Sequence, residues 1–382
     1  MTETSFIPRE RLARFSTAMP YWVSLLLLPL FVAVAFQGGW WLVLLPLSTW
    51  WLFALLDAVI GQNTENADPT TAEDELKWFQ LLTLIWPPLQ IAVVFAMIWY
   101  APNAAHLSTG ELFGLFACLG ILSGTIGITY AHELMHQRTK LEKWMGDILM
   151  ASVLYSHFRS EHILVHHRYV ATRRDPVTAR YNEGFWRYFP RVLLACPGSA
   201  WRAEANALAR QKRPSSHRRN PFWRYFALQL VFLALAAAIG GPLGVALFAT
   251  QAFAAIWQLE LVNYIEHYGL TRRHLGEGRY EPVGPHHSWN ATEKASNWLL
   301  INLLRHSDHH FKPNRRYPVL QSRADEDVPE LPYGYPVMTL LATCPPAWRR
   351  VMNPKVRAWR LAHYPDISDW QPYRDGSLPQ PI

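Results

Sequence analysis

Three histidines near residue 306 have the spacing of metal ligands. In the stretch LLRHSDHHFKPN, residues 303–314, His306, His309 and His310 fall within five residues. If the stretch is helical, positions i, i+3 and i+4 share one face, so His306 would stand beside both other imidazoles. Such a face would bind a transition metal, because imidazole is a common ligand of iron, copper and zinc. A histidine-rich polar loop is the alternative, and other parts of the chain must decide between the two.

The same kind of clustering recurs at three earlier places in the chain. The motif HELMH carries two histidines four residues apart, HILVHH carries such a pair with a third imidazole beside it, and NYIEHYGL carries one. Nine of the 16 histidines belong to these clusters, and they are His132, His136, His162, His166, His167, His267, His306, His309 and His310. The pattern predicts that these side chains form one metal centre.

HELMH alone also fits a different class of site. It matches HExxH, in which two helical histidines bind zinc and the glutamate, here Glu133, is the general base of a protease. A catalytic zinc takes three protein ligands and keeps one position open, so the other clustered histidines would have no role. Nine imidazoles suffice for two metals with four or five ligands each. The residues alone leave iron, copper and zinc open.

The composition indicates that a membrane positions these clusters. The 382 residues are 50% hydrophobic and 14% aromatic, with 18 tryptophans, whereas only 17% are charged, and this balance is typical of a membrane protein. A helix needs about 20 apolar residues to cross a bilayer. Six runs approach that length, at residues 19–36, 40–60, 78–100, 111–131, 223–239 and 242–262. Only a turn around Gly240 separates the last two, which could instead form one long hairpin.

Basic residues predict which side of the membrane holds the clusters. With six spans and a cytoplasmic N-terminus, the outside segments 37–39 and 101–110 and the Gly240 turn contain no Lys or Arg. The positive-inside rule therefore predicts that both termini and the nine histidines lie on the cytoplasmic side of the membrane. A bacterial inner membrane is the expected location. Residues 1–17 are too polar for a cleavable signal peptide. We expect one all-α domain over residues 1–382, with six transmembrane helices and a cytoplasmic cap made of residues 138–220 and 263–382.

The cysteines and the charge limit the partners. Cys118, Cys196 and Cys344 are isolated, which excludes both a disulfide framework and a CxxC metal knuckle. The chain has no GxGxxG fingerprint either, so electrons for a redox reaction must come from a separate protein. The net charge of +7 is expected to attract an acidic electron carrier and the headgroups of anionic membrane lipid. No nucleic acid is expected as a partner.

The wording of the motifs resembles one family. The order HELMH, SEHILVHHRYVATRRDP, NYIEHYGL, PHHSWN and LLRHSDHHFKPNRRYP is similar to that of the integral-membrane alkane monooxygenases, the AlkB type, among the membrane di-iron desaturases and hydroxylases. The resemblance covers most of residues 20–320. It implies that the nine histidines hold two iron ions in a non-haem di-iron centre. It also implies hydroxylation of the terminal carbon of medium- or long-chain alkanes to primary alcohols, with O2 as co-substrate.

The same resemblance implies an electron donor and residues that support the ligands. The donor is expected to be rubredoxin, or ferredoxin as in some relatives, reduced by an NAD(P)H-dependent reductase. Acidic residues next to the clusters are expected to accept the far N–H of an imidazole, which fixes its tautomer and raises its basicity. These residues are Glu133, Glu161, Glu266, Asp308 and Asp175.

The substrate is expected to reach the metals from the bilayer, because a saturated hydrocarbon offers only hydrophobic contact. Small residues such as Gly124 and Gly127 would leave either a slot towards His132 or a face for close helix packing. Xylene-type aromatic methyl hydroxylases and fatty-acyl desaturases or hydroxylases are alternatives, and an HExxH zinc membrane protease is the alternative of another class. His286 and His287 are expected to line a pocket or a loop and not to bind metal.

Overall fold

Helices make up most of the structure, a computed structural model that describes residues 6–323 and 328–381. Residues 1–5, 324–327 and 382 of the predicted 1–382 domain lie outside the described part. The helical segments are α1 Arg9–Leu12, α2 Phe15–Gln37, α3 Gly39–Ile60, α4 Glu73–Asn103, α5 Thr109–His136, α6 Lys140–Ser152, α7 158–169, α8 Phe185–Ala209, α9 Phe222–His267, α10 Lys294–Leu299, α11 His306–Phe311, α12 Tyr335–Ala342, α13 Pro345–His363 and α14 Gln371–Asp375. The expectation of a mainly helical protein is confirmed.

The described residues also contain two short strand pairs and the 3-10 turns Pro285–His287 and Tyr317–Val319. β1 Phe6–Ile7 pairs in parallel with β2 Asn66–Ala67, and β3 His274–Gly276 pairs antiparallel with β4 Arg279–Tyr280. The first pair fastens the N-terminal segment to the loop between α3 and α4. The second lies after α9, on the way from His267 to α10.

Five helical segments of the described residues are long and apolar enough to cross a bilayer, and they are α2, α3, α4, α5 and α9. They cover the six predicted runs, the last two of which are joined in α9. In its most apolar window α5 is 72% buried, whereas α3 and α9 are 22% buried. α5 is therefore the central helix, and α3 and α9 turn large apolar side chains such as Val59 and Leu230 outward.

α9 reverses its direction at Gly241. This residue has φ 58° and ψ −151°, and Pro242 follows it, so the helix is interrupted where only glycine adopts the backbone conformation readily. The rings of Phe232 and Phe248 lie 6.3 Å apart, whereas the same stretch of straight helix would separate them by about 24 Å. The two arms therefore lie side by side as an antiparallel hairpin. The predicted runs 223–239 and 242–262 are these two arms.

Three of the described segments contain a π turn. The turns cover Leu47–Trp51 in α3, Ser123–Ile128 in α5 and His162–His166 in α7. A π turn holds one more residue than an α turn and is often found at functional sites. Side chains beyond it therefore point in directions that a regular helix does not predict.

Polar contacts fasten the segments after α9 to the ends of the apolar helices. The Arg305 guanidinium donates to the carbonyl oxygens of Glu65 at 2.8 Å and Leu320 at 2.5 Å. Asp57, at the end of α3, accepts from the backbone N–H of Ser296 at 2.9 Å. α10 and the start of α11 are thereby held against the loop that joins α3 to α4.

Candidate metal centre

Four helices bring the nine histidines together. α5 and α9 end at His136 and His267, and the short helices α7 and α11 supply the others. The side chains form two adjacent groups, in each of which one ligand atom per residue lies within 4.8 Å of all the others. The five-histidine group is His132, His136, His162, His167 and His309, and the four-histidine group is His166, His267, His306 and His310.

In the five-histidine group the ring nitrogens converge around His167. Its Nε2 lies 3.0 Å from the Nε2 of His162, 3.1 Å from that of His309 and 3.3 Å from that of His136. A ring nitrogen has either one proton to donate or one lone pair to accept with, so the Nε2 of His167 cannot form three good hydrogen bonds at once. Two nitrogens bound at right angles about 2.1 Å from one ion are about 3 Å apart. The spacing therefore fits ligands of a common metal ion.

The four-histidine group has the same spacing. The Nε2 of His306 lies 3.1 Å from the Nε2 of both His267 and His310. The Nδ1 of His166 lies 2.9 Å from Asp175 Oδ2, which leaves its Nε2 for the group. That Nε2 is buried and has no hydrogen-bond partner among the described residues. A metal ion would satisfy it.

The π turn in α7 decides which imidazoles share a group. Its backbone hydrogen bond runs from the N–H of His167 to the carbonyl of His162, five residues earlier. His162 and His167 therefore point to the same place. The sequence pattern pairs His162 with His166, four residues on, and this pairing is wrong because His166 belongs to the other group. The regular helix period does not apply across a π turn.

The histidines of α11 are also divided between the groups. The rings of His306 and His310 have centroids 4.7 Å apart and share the four-histidine group, whereas His309 reaches the five-histidine group. His309 nevertheless stacks on His306 with centroids 5.7 Å apart. The face predicted from the i, i+3 and i+4 spacing is present, but it lies between two sites and does not belong to one.

Two of the five expected carboxylates touch an imidazole. Asp175 approaches the far nitrogen of His166, as an orienting acceptor does. Glu266 Oε2 lies 3.4 Å from the Nε2 of His306, which is the nitrogen that faces the group. The other oxygen of Glu266 accepts from the Tyr335 hydroxyl at 2.7 Å. Tyr335 thus fixes this carboxylate at the edge of the four-histidine group.

Glu133 and Asp308 are held by donors other than imidazole. Glu133 accepts from the Gln137 side chain at 2.8 Å. Asp308 accepts from the backbone N–H of Gln321 at 3.0 Å and forms ion pairs with Arg315 and Arg323. The partners of Asp308 follow α11, so this carboxylate ties the histidine helix to the segment after it.

Glu161 is the fifth expected carboxylate, and it is 1% exposed. Neither of its oxygens has a hydrogen-bond partner among the described residues. Burial and the neighbouring Asp175 carboxylate raise the pKa of Glu161 well above its ordinary value. A buried carboxyl group without a hydrogen-bond donor is costly to ionise unless a cation lies near it, so Glu161 is neutral unless a cation is bound close by.

The histidines are in the state that binds metal. Burial and the neighbouring imidazoles lower the pKa of His162, His167 and His309 well below the ordinary value. They are therefore neutral at pH 7, and a neutral imidazole nitrogen has the free lone pair that a metal needs. Neutral imidazoles, converging nitrogens and a buried carboxylate without a donor all fit a metal site.

A cavity opens onto both groups. His132 and His162 line it from the five-histidine group, and His306 lines it from the four-histidine group. Its other walls come mainly from apolar residues, among them Trp50, Ile128, Leu259, Val262, Leu299 and Leu303. A cavity of this kind suits an apolar ligand.

The small residues of α5 chiefly permit close helix packing. A Cβ at Gly124 would meet the carbonyl oxygen of Ala255 at 2.7 Å, and a Cβ at Gly127 would overlap the side chain of Gln90. Gly124 also borders the cavity, whereas Gly127 packs on α4. There is no slot at Gly127, so that prediction is wrong. The part of the cavity wall that α5 contributes consists mainly of hydroxyl and aliphatic side chains.

His286 and His287 form a separate group with Glu281. The Nε2 of His287 lies 2.9 Å from the hydroxyl of Tyr364 and 3.2 Å from Glu281 Oε1. The same hydroxyl donates to Glu281. These contacts fasten the end of α13 to the loop after β4.

The contribution of α12 has no counterpart in the sequence patterns. Tyr335, Pro336 and Thr339 line the cavity, and Tyr335 also binds Glu266. The helix has only eight residues and no charged or histidine motif. Nothing in its sequence marks it as part of the site, because its role comes from where it packs.

Comparisons with known proteins agree with this site. The sequence profile of the family described as Fatty acid desaturase matches residues 109–342, which include all nine histidines. The chain is 35% identical to alkane 1-monooxygenase 2 of Pseudomonas aeruginosa, over 87% of this chain and 95% of that protein. It is 37% identical to alkane 1-monooxygenase 1 of the same organism, over 84% of each. It is 27% identical to XylM, the hydroxylase component of xylene/toluene monooxygenase of Pseudomonas putida, over 85% of each.

Proposed function

The chain belongs to the alkane 1-monooxygenases within the fatty acid desaturase family, and we propose that it hydroxylates the terminal carbon of medium- and long-chain alkanes. The reaction takes up O2, two electrons and two protons for each alkane and returns a primary alcohol and water. Two imidazole groups that open onto one apolar cavity carry this proposal. The cavity supplies the apolar contact that an alkane needs, and the imidazoles supply a place for redox metal.

Two irons are the proposed metals, one in the five-histidine group and one in the four-histidine group. A bound di-iron centre supplies O2 activation and the oxidising power to break an unactivated C–H bond. Iron suits imidazole ligands, whereas zinc has no redox chemistry. The nine histidines are the proposed ligands, and Glu161, Glu266 and Asp175 are the proposed carboxylates that balance their charge or orient them.

The protein's own groups bind the substrate and keep water out. Ile128, Val262 and Leu299 line the cavity and would hold the alkane by hydrophobic contact, with one end at the imidazoles. The Tyr335 hydroxyl, hydrogen-bonded to Glu266, is a donor at the edge of the four-histidine group. Exclusion of water protects the reacting carbon from competing reactions.

Aromatic methyl hydroxylation is the second candidate, because the chain is also similar to XylM. Reaction on a fatty-acyl chain is the third candidate, because the matching family is described as Fatty acid desaturase. The zinc protease has less support than either. Its general base would be Glu133, which here accepts from Gln137 at 2.8 Å, and its single zinc would leave one whole imidazole group without a role.

Six crossings of a bacterial inner membrane, with both termini and the metal centre in the cytoplasm, are the proposed topology. The arms of α9, residues 222–240 and 242–267, would span about 28 Å and 39 Å, enough for one crossing each. The basic residues that follow α5 support the cytoplasmic side. The segments after α5 and after α9 then form the cytoplasmic cap.

Rubredoxin is the proposed electron donor, and ferredoxin is the alternative. An NAD(P)H-dependent reductase would reduce either protein. A basic groove between α7 and α8 is the proposed docking surface. Arg168, Arg174, Arg202 and Arg210 line it, and α7 carries three of the nine histidines. An acidic carrier would be attracted there by charge and would come close to the imidazole groups.

Metal and product analysis on the purified protein tests the activity. We expect two irons per chain, and conversion of octane to 1-octanol that depends on O2, rubredoxin and its reductase. The same preparation is offered p-xylene and a fatty-acyl substrate. One zinc per chain would contradict the proposal and favour the zinc protease. Turnover of p-xylene or of the acyl chain without turnover of octane would contradict the alkane as the substrate.

Charge reversal in the basic groove tests the docking surface. Arg202→Glu is expected to lower kcat/KM for rubredoxin roughly several-fold at low ionic strength, because the encounter is steered by charge. The loss is expected to shrink as salt screens the charges. Arg219→Glu, at another exposed arginine outside the groove, is the matched control. Equal effects of both variants, or rates that do not respond to salt, would contradict docking at this groove.

A further inference from the structure

A second cavity borders Asp175 and is lined by several arginines. It is formed by the loop 171–181, the segment around β4, and α13 and α14, and it plays no part in the proposed reaction. Its cationic side chains are Arg173, Arg180, Arg191, Arg360 and Arg374, and tyrosines 181, 280 and 373 stand among them. We call it the arginine cavity.

Arg360 is the most deeply buried of these cations. It is 8% exposed, and its guanidinium lies over the rings of Tyr181 at 4.5 Å and Trp370 at 4.3 Å. Within the described ranges 6–323 and 328–381 the guanidinium has no hydrogen bond or ion pair, and its Nε is buried without an acceptor. A buried charged donor that lacks an acceptor is costly and calls for a ligand.

Two more buried donors around the same cavity lack an acceptor. The Nε of Arg173 and the hydroxyl of Thr271 are buried without a partner among the described residues, and both residues line the cavity. Three such groups from separate parts of the chain therefore surround one space. Their convergence is what a binding site for an anion requires.

The carboxylates near the cavity are already engaged. Asp175 contacts His166 and accepts from the backbone N–H of Val177 at 2.9 Å. Glu183 forms an ion pair with Arg191 at 2.7 Å. The arginines at 173, 180, 360 and 374 form no ion pair among the described residues, so the cavity keeps an excess of positive charge.

The environment disfavours these charges. Burial lowers the pKa of Arg360 to about 10 and lowers that of Arg173 and Arg180 as well, with neighbouring arginines adding to the effect. A guanidinium nevertheless stays protonated at pH 7. The rings of Tyr181 and Trp370 over Arg360 and the Asp375 carboxylate near Arg173 offset part of this cost, and a bound anion would offset more of it.

We propose that the arginine cavity binds a small oxyanion of the phosphate class. Two phosphate oxygens can accept the two parallel hydrogen bonds that a guanidinium donates, and a phosphate with more than one negative charge can neutralise several arginines at once. The bound anion would join α13 and α14 to the loop 171–181 and so steady the loop that carries Asp175. The anion is either free phosphate or the phosphate of a lipid headgroup, and the two share this chemistry.

Phosphate binding to the full-length protein tests the proposal. The protein is purified in detergent without phosphate and titrated with inorganic phosphate at constant ionic strength, with chloride as the comparison anion. We expect saturable binding of one phosphate per chain and a rise in the unfolding temperature that saturates with it. Chloride is expected to produce neither effect at the same concentration.

Two variants and one control locate the site. Arg360→Gln and Arg374→Gln each remove one charged donor, so affinity is expected to fall about tenfold. Arg374 is exposed, so its variant is not expected to disturb folding. Arg218→Gln, at an exposed arginine outside the cavity, is expected to bind as the unaltered protein does. Retention of iron by each variant checks that the protein is folded.

Nanodiscs separate the two sources of the anion. If phosphatidylglycerol discs block phosphate binding that phosphatidylcholine discs allow, the natural ligand is a lipid headgroup. If both lipids allow it, the ligand is soluble. Absence of saturable binding in detergent and in both kinds of disc would overturn the proposal, as would equal binding by the Arg360→Gln, Arg374→Gln and Arg218→Gln proteins.

Discussion

Ring nitrogens about 3 Å apart are held close to one another by residues that do not bind metal themselves. Asp175 contacts His166 at 2.9 Å, and Asp308 ties α11 to the chain that follows it. Buried neutral imidazoles without a metal repel through their lone pairs, so the surrounding structure must impose their geometry. The supporting carboxylates are therefore as much part of the centre as the histidines.

Replacement of Asp175 tests this support. In Asp175→Asn the acceptor next to His166 loses its charge, which lowers the basicity of the imidazole. We expect the affinity of the four-histidine group for iron to fall about 10- to 100-fold. One of two irons should then be lost first to a chelator. Asp366→Asn, at an exposed carboxylate paired with Arg273, serves as the control. Parallel loss of both irons would contradict the separate roles of the two groups.

Removal of the metal should destabilise the protein. Chelation takes away an ion that binds the folded state and not the unfolded chain, so we expect the unfolding temperature to fall and to recover when iron is added back. The free energy lost would be about 2.7 kcal/mol for a metal present at 100 times its dissociation constant.

The neutral variant Glu161→Gln makes that prediction specific. The variant keeps the shape of the side chain but cannot ionise when metal is bound, so any attraction between the Glu161 carboxylate and the metal is lost. The gap in unfolding temperature between metal-bound and metal-free protein should then narrow. A gap as wide as in the unaltered protein would show that Glu161 is compensated in another way.

At the scale of elements, α5 and α7 depart from regular helix in ways that serve the centre. The π turn of α7 sends His162 and His167 to one group and His166 to the other. α5 is the central helix, and its Gly120 and Gly124 lie against the backbone of α9. α5 ends at His136 and α9 ends at His267. Close packing of the two helices therefore brings the five-histidine group and the four-histidine group next to each other.

Gly120 and Gly114 provide a matched test of this packing. A Cβ at Gly120 would overlap the carbonyl oxygen of Gln251 on α9, whereas a Cβ at Gly114 meets open space. Gly120→Val is therefore expected to cost about 1–3 kcal/mol, because α5 and α9 must separate. Gly114→Val should be nearly neutral. The measurement is the thermal unfolding of both variants in the same detergent. Equal stability of the two variants would mean that α5 and α9 do not need close contact.

At the scale of the whole molecule, one cavity joins the apolar helices to the histidines. Its walls come from α3, α5, α9, α10 and α12, which are far apart in sequence. An alkane bound here, as we propose, would be held by hydrophobic contact alone, so the shape of these walls would set which chain lengths fit. Under that proposal, tertiary packing decides the substrate range.

Val262→Phe tests the cavity as the alkane site. The ring takes up space in the cavity, so the preferred substrates should become shorter. Each methylene that the ring keeps out should cost about 0.8 kcal/mol, or roughly fourfold in kcat/KM. Leu230→Phe, on the outward face of α9, is the control, and product profiles over a panel of alkanes are the measurement. An unchanged chain-length profile for Val262→Phe in a protein that retains its iron would exclude this cavity.

Part of the centre is predictable from short stretches of sequence. The spacing of HELMH places His132 and His136 on one helical turn, and the structure keeps them in one group. Apolar runs mark the helices that could cross a membrane, because their length and composition are local properties. The division of His306, His309 and His310 between groups is not predictable in this way, since it depends on what faces each side of α11.

The sequence by itself determined which side chains are available, nine clustered histidines near the ends of apolar helices, because type and spacing are local. Only the tertiary structure decided which imidazoles converge, since the π turn in α7 breaks the helical period and α11 lies between two sites. It also decided that α12 joins the cavity and that arginines from distant segments surround a second cavity. These features depend on contacts between residues far apart in the chain, which no short pattern records.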